Sequence, residues 1–249
     1  MRTPFLLLLA AIALTAPLAF AGSERAGHDC VRDNELRFTT SDRVKLVGHR
    51  FGGLRPGSRP AVVLAHQSNG SLCEWLPEAR RLAARGIWVL AFDFRGHGLS
   101  KGRVQYGRLA TDYAAAVKTA RSLGAKQVVL AGASLGGIAA VVAGASIKPP
   151  VAGIAALSAP AAIAGRVDAR PFAPRLAVPA LFVAARGDQS PPYDFAADAQ
   201  RLYDTSGSTA KHLELVEGSD HGISLVGRLS AIRALLERFV REPAATAAG

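Results

Sequence analysis

Apolar residues in this chain fall into short unbroken runs, and the stretches between them carry helical periodicity. Runs at 61–65, 87–94, 127–131, 151–158, 180–184 and 212–216 read as strands. They are apolar at nearly every position instead of every second one, which is the pattern of strands covered on both faces, as in a parallel sheet between helices. Helical patterns occupy 74–84, 106–123, 134–146, 193–203 and 225–240. Gly86 and Gly124 stop the first two. In the last, Leu229, Ile232, Leu235, Leu236 and Phe239 line one face. Before residue 60, segments 35–40 and 44–51 form a hairpin through Ser41-Asp42, an antiparallel edge to the sheet. The pattern predicts one three-layer α/β domain over 35–241, preceded by an arm at 22–34 and followed by a disordered tail at 242–249.

The first 21 residues stand apart. Phe5 to Ala21 contains no charged residue, follows Arg2, and ends in the small-x-small sequence Ala19-Phe20-Ala21. This is the layout of a cleaved signal peptide, and the run is short for a membrane span. Gly22 rather than Cys follows the cleavage point, which argues against a lipid anchor. The mature chain is therefore expected outside the cytoplasm, periplasmic or secreted, with no membrane span.

Charge changes the picture little. The formal net charge is +11, but the basic residues are mainly Arg and are scattered, without the clustering and interleaved aromatics of a nucleic-acid binder. No nucleic-acid partner is expected. An excess of positive surface favours anionic envelopes or acidic substrates. Cys30 and Cys73 are the two cysteines. In an oxidising compartment they either form a disulfide that ties the arm to the domain or remain two thiols, and the sequence leaves both open. No Cys/His spacing resembles a zinc site.

The chemistry concentrates at strand ends. Gly132-Ala133-Ser134-Leu135-Gly136 lies where a strand gives way to a helix, and the two glycines remove the clash that bulky neighbours would make around a sharply turned serine. A serine hydroxyl needs a base, and the base needs an orienting carboxylate. Asp188 follows the strand at 180–184, and His221 follows the strand at 212–216. Of the six histidines only His221 comes after both Ser134 and Asp188 at a strand's end. Asp168 and Asp220 are rival acids in less suitable positions. The N–H of Leu135, at a helix N-terminus, is the first expected donor to an oxyanion.

These features resemble the α/β-hydrolase family over residues 36–240. Asp93-Phe94-Arg95-Gly96-His97-Gly98-Leu99-Ser100 is similar to its D-x-R-G-x-G-x-S segment. The resemblance implies an α/β-hydrolase fold with a mostly parallel sheet, a triad in the order Ser134, Asp188, His221, and structural roles for Asp93 and His97. It implies a second oxyanion donor at Ser68, in His66-Gln67-Ser68-Asn69-Gly70. There Gln67 replaces a common Gly, as in the dienelactone-hydrolase branch, which commonly uses a Cys nucleophile where this chain has Ser134. Gln67 and Trp75 are candidate substrate contacts, Trp75 either lining the entrance or belonging to the core of its helix. The short segment 159–179 leaves no room for a substantial cap. The expected activity is hydrolysis of a small-molecule ester with no metal or cofactor. Peptidase or thioesterase activity is the alternative on the same machinery, and a binding protein with an idle site is the alternative in kind.

Overall fold

The computed structural model describes residues 30–31, 33–53 and 61–247. The segment read as a signal peptide, most of the arm and the last two residues lie outside them. Among the described residues eight strands form the main sheet: β1 (Glu35–Thr39), β2 (Lys45–Phe51), β3 (Ala61–Ala65), β4 (Val89–Phe92), β5 (Val128–Ala133), β6 (Gly153–Leu157), β7 (Ala180–Ala185) and β8 (Lys211–Val216). Their spatial order is β1-β2-β4-β3-β5-β6-β7-β8. β1 and β2 are antiparallel, β2 runs antiparallel to β4, and every later pairing is parallel.

Alternate residues of each buried strand face opposite layers. Val63, Leu130, Ile154 and Phe182 join a core with α2 (Leu109–Ser122), α3 (Leu135–Ser146) and α4 (Phe195–Thr205). Val62, Val129, Ala155 and Leu181 join the other, beneath α1 (Leu76–Ala84), α5 (Ile223–Arg228) and α6 (Ser230–Arg241). Among the described residues, no helix is long and apolar enough to cross a membrane.

Register decides where the chemistry emerges. Ala65 pairs with Gly132, Ala133 with Leu157, Leu157 with Val183, and Ala185 with Val216. The C-terminal ends of β3, β5, β6, β7 and β8 thus share one edge, where an open α/β sheet places its ligand crevice.

Two expectations about the helices are corrected. The helix predicted over 225–240 is two helices, broken at Leu229, whose backbone is extended (φ −100°, ψ 107°). Arg233 bonds the carbonyls of Val226 and Gly227 at the break (3.1 and 2.7 Å), giving them partners that a continuous helix would otherwise supply. The tail expected to be disordered forms α7 (Pro243–Ala247), with Ala247 buried. Pro243 suits a first helical position, where no N–H is needed, and Gly153 leaves room for its ring: a Cβ there would lie 3.0 Å from that of Pro243. Between β6 and β7 the chain makes a small hairpin, Ala162–Ile163 against Val167–Asp168, and a 3-10 turn at Ala173–Arg175. Among the described residues no substantial cap covers the strand ends.

Candidate active site

Ser134 follows β5 directly and precedes α3, with φ +50° and ψ −109°. A non-glycine residue is rare there and costs about 1–3 kcal/mol, which the surroundings must sustain. They do so by close packing: a Cβ on Gly132 would overlap the backbone of Gly136, and one on Gly136 would strike the Ala65 carbonyl. Ser134 N–H donates to Leu157 O (2.8 Å), and Ile138 N–H donates back to Ser134 O (3.0 Å). The serine is held at a strained turn and remains partly exposed.

Asp188 sits in the turn after β7, buried to 3% exposure. Its backbone N–H bonds Ala185 O, and its carbonyl accepts from Phe195 N–H (both 3.1 Å). Its carboxylate receives His221 Nδ1 at 2.9 and 3.0 Å. With Nδ1–H committed to the carboxylate, Nε2 is the nitrogen left to accept a proton. Phe195 lies against the imidazole, ring centroids 4.4 Å apart. The rival acids are engaged elsewhere: Asp220 faces Arg228 (3.3 Å), and Asp168 pairs with Arg170 (2.7 Å), whose guanidinium holds its carboxyl below the ordinary value.

The loop after β3 is braced from below. Buried His66 donates from Nδ1 to Gln67 O (2.7 Å) and accepts Phe94 N–H at Nε2 (3.1 Å), which fixes its neutral tautomer. Because a trans peptide points its C=O and N–H in opposite directions, fixing Gln67 O turns the Ser68 N–H away from His66. Ser68 is exposed. Leu135 N–H, at the first position of α3, has no intrahelical partner. Gln67 reaches across to the loop after His221, its Oε1 accepting Ile223 N–H at 3.4 Å, while its own N–H donates to Glu74 (3.2 Å). Burial pushes the Glu74 carboxyl above its ordinary value, against the pull of that N–H.

Trp75 does not line an entrance. Its side chain is fully buried in the layer under α1, and its Nε1–H donates to Ala65 O (2.8 Å), the partner a buried indole needs. Cys30 and Cys73 are joined in a disulfide with Cα atoms 5.9 Å apart, fastening the arm beside the 3-10 turn Leu72–Trp75. Asp93 accepts Leu72 N–H (2.8 Å) and Leu99 N–H (3.0 Å), so it shapes the neighbouring loop. His97 lies against His66, ring centroids 4.9 Å apart. Sequence reasoning missed Ser158, fully buried at the end of β6, which donates to Asp188 Oδ2 at 2.6 Å.

Sheet order, strained serine and strand-end Asp–His pair are together those of the α/β-hydrolase fold, and this chain has that fold. A family model, that of the serine aminopeptidases S33, matches residues 56–173. No curated protein matches the chain. Among solved structures it is similar to the Pyrococcus furiosus esterase Pf2001, at 19% identity and TM-score 0.67, covering 84% of this chain and 90% of that one. The enol-lactonase of Burkholderia xenovorans gives 19% identity and TM-score 0.67 over 83% and 100% of the two chains. A thermophilic esterase from Thermogutta terrifontis gives 17% and 0.65 over 83% and 99%. Likeness at these identities establishes the fold.

Proposed function

We propose that this protein hydrolyses carboxylic esters through an acyl-enzyme on Ser134. The observation that carries the reading is the Asp188–His221 pair, 2.9 Å apart, on the sheet edge that also presents a strained, partly exposed serine. His221 Nε2 takes the Ser134 proton as Oγ attacks the ester carbonyl, and the resulting oxyanion accepts from Leu135 N–H and Ser68 N–H. His221 then protonates the departing alcohol. Water repeats the cycle on the acyl-enzyme, releasing the acid and restoring Ser134. Asp188 holds the imidazole in the accepting tautomer and balances the imidazolium charge. The chemistry needs no metal or cofactor. The esterases and lactonase of similar fold support an ester as substrate, and the short hairpin between β6 and β7 suits small or extended acyl groups reaching in from solvent.

The test is turnover of p-nitrophenyl esters of graded acyl length by purified protein and by Ser134→Ala. Loss of at least three orders of magnitude in kcat by a folded variant supports the reading, a size in keeping with other triads. A variant that keeps most of its activity refutes it. The S33 aminopeptidase model favours one second reading, cleavage of aminoacyl amides, so a p-nitroanilide series is run beside the esters. The higher kcat/KM assigns the bond.

Export is part of the proposal. The charge-free segment ending at Ala21 and the Cys30–Cys73 disulfide both suit an oxidising compartment. Mass spectrometry of the mature N-terminus is expected to find Gly22, and an intact Met1 on cytoplasmic protein would overturn this.

A further inference from the structure

Ser158 takes no part in the proton relay, yet it bonds the Asp188 carboxylate and the backbone beside His221. It follows β6 with φ +45°, in the left-handed region where a glycine sits without strain and a serine does not. A residue needed only to turn the chain would be better as glycine. The side chain accounts for the difference. Oγ–H donates to Asp188 Oδ2 at 2.6 Å, and the same oxygen accepts Gly222 N–H at 2.9 Å, one residue beyond His221. A serine hydroxyl has a single proton, so this chain of bonds has one direction: Gly222 N–H to Oγ, Oγ–H to carboxylate. Each bond polarises the next, and the last is charge-assisted. The backbone completes the pattern. Ser158 N–H donates to Val183 O (2.7 Å), and the preceding carbonyl, Leu157 O, receives Ser134 N–H (2.8 Å). Two consecutive residues at the end of one central strand thus bond the segments carrying Ser134 and His221 and the Asp188 carboxylate itself.

We infer that Ser158 is a positioning residue for the Asp188–His221 pair, which rests on the triad proposed above. Its hydroxyl fixes the rotation of the carboxylate against the imidazole and ties the His221 loop to the same oxygen. It acts through Asp188, touching neither substrate nor the reacting hydroxyl.

Ser158→Ala removes the hydroxyl and keeps Cβ. Ser158→Gly also relieves the positive φ, so it remains usable if the alanine variant folds poorly. Both are expected to lower kcat about tenfold to a hundredfold, the size of a lost hydrogen bond to a charged group, with KM within about twofold because substrate contacts are unchanged. The discriminating measurement is a double-mutant cycle with Asp188→Asn. If Ser158 acts through the carboxylate, its removal costs little more once the carboxylate is gone. A Ser158 variant with kcat within about twofold of the parent, or a penalty that persists in full on the Asp188→Asn background, overturns the inference. Ser134→Ala run in parallel separates the cases: an active Ser134→Ala defeats the triad itself, whereas an inactive one beside an active Ser158→Gly defeats only the role of Ser158.

Discussion

Exchanging the Asp188 carboxylate for a carboxamide alters charge and hydrogen-bond polarity at almost constant volume. Asp188 now accepts two bonds, from His221 Nδ1–H and from Ser158 Oγ–H. An asparagine has one acceptor oxygen in place of two, because the other end of the amide is itself a donor. With the amide NH2 toward His221, the ring must present an unprotonated Nδ1, its proton moves to Nε2, and it cannot take the serine proton. With the oxygen toward His221 the tautomer survives, but the imidazolium formed during attack has no counter-charge. At about 4 Å between charge centres and an effective dielectric near 20, that attraction is about 4 kcal/mol, or roughly three orders of magnitude in rate. Asp188→Asn is therefore expected to lose about three to four orders of magnitude in kcat, as the corresponding change does in other triads. Asp220→Asn gives up only an exposed contact with Arg228 and is expected to stay within about fivefold, and Asp168→Asn within about twofold. The assay is p-nitrophenyl ester turnover, with far-UV circular dichroism as the folding control. An active Asp188→Asn beside a crippled Asp220→Asn refutes the assignment of the acid.

Two further predictions concern stability. Arg95 is 1% exposed and bonds fully buried Asp112 at 2.7 Å; Asp112→Ala leaves that guanidinium with Asp42 as its one carboxylate and should cost about 3–5 kcal/mol. Thermal unfolding should show a Tm lower by roughly 6–20 °C for a chain of this length, and a drop below about 2 °C would sink the argument. The Cys30–Cys73 link closes a sequence separation of 43 residues, for which chain entropy gives at most about 4 kcal/mol. Cys73→Ser should accordingly lower the denaturation midpoint without changing ester kcat, and equal midpoints for the two proteins would show that the arm does not constrain the unfolded chain.

The central strands were legible because both their faces are covered: nearly unbroken apolar runs that alternate with helical periodicity have few other readings. The strand-end Ser134, Asp188 and His221 were legible through chain order, since a parallel sheet with crossovers brings successive strand ends to one edge. Contacts between residues distant in sequence were not. Ser158 meets Asp188 across 30 positions and Gly222 across 64, and nothing in Leu157-Ser158-Ala159 distinguishes it from any serine ending a strand. Trp75 was ambiguous for a related reason. An indole suits a pocket wall or a core, and only the position of the Ala65 carbonyl decides between them. The break at Leu229 escaped the periodicity because the apolar stripe continues across it, while the interruption depends on Arg233 reaching backward. In the tail, composition suggested disorder, but small residues also pack closely, and Gly153 provides the seat.

The end of β6 has a consequence for how this protein could change. Among the described residues, none of the hydrogen bonds that hold Ser134, Asp188 and His221 involves the hairpin at 162–168 that follows. Its guanidinium at Arg166 reaches instead to the hydroxyl of Tyr106, at 3.0 Å. Lengthening or replacing that hairpin would leave those bonds where they are. The chain at 162–168 can thus take an insertion without breaking any of the bonds that hold Ser134, Asp188 and His221 in place.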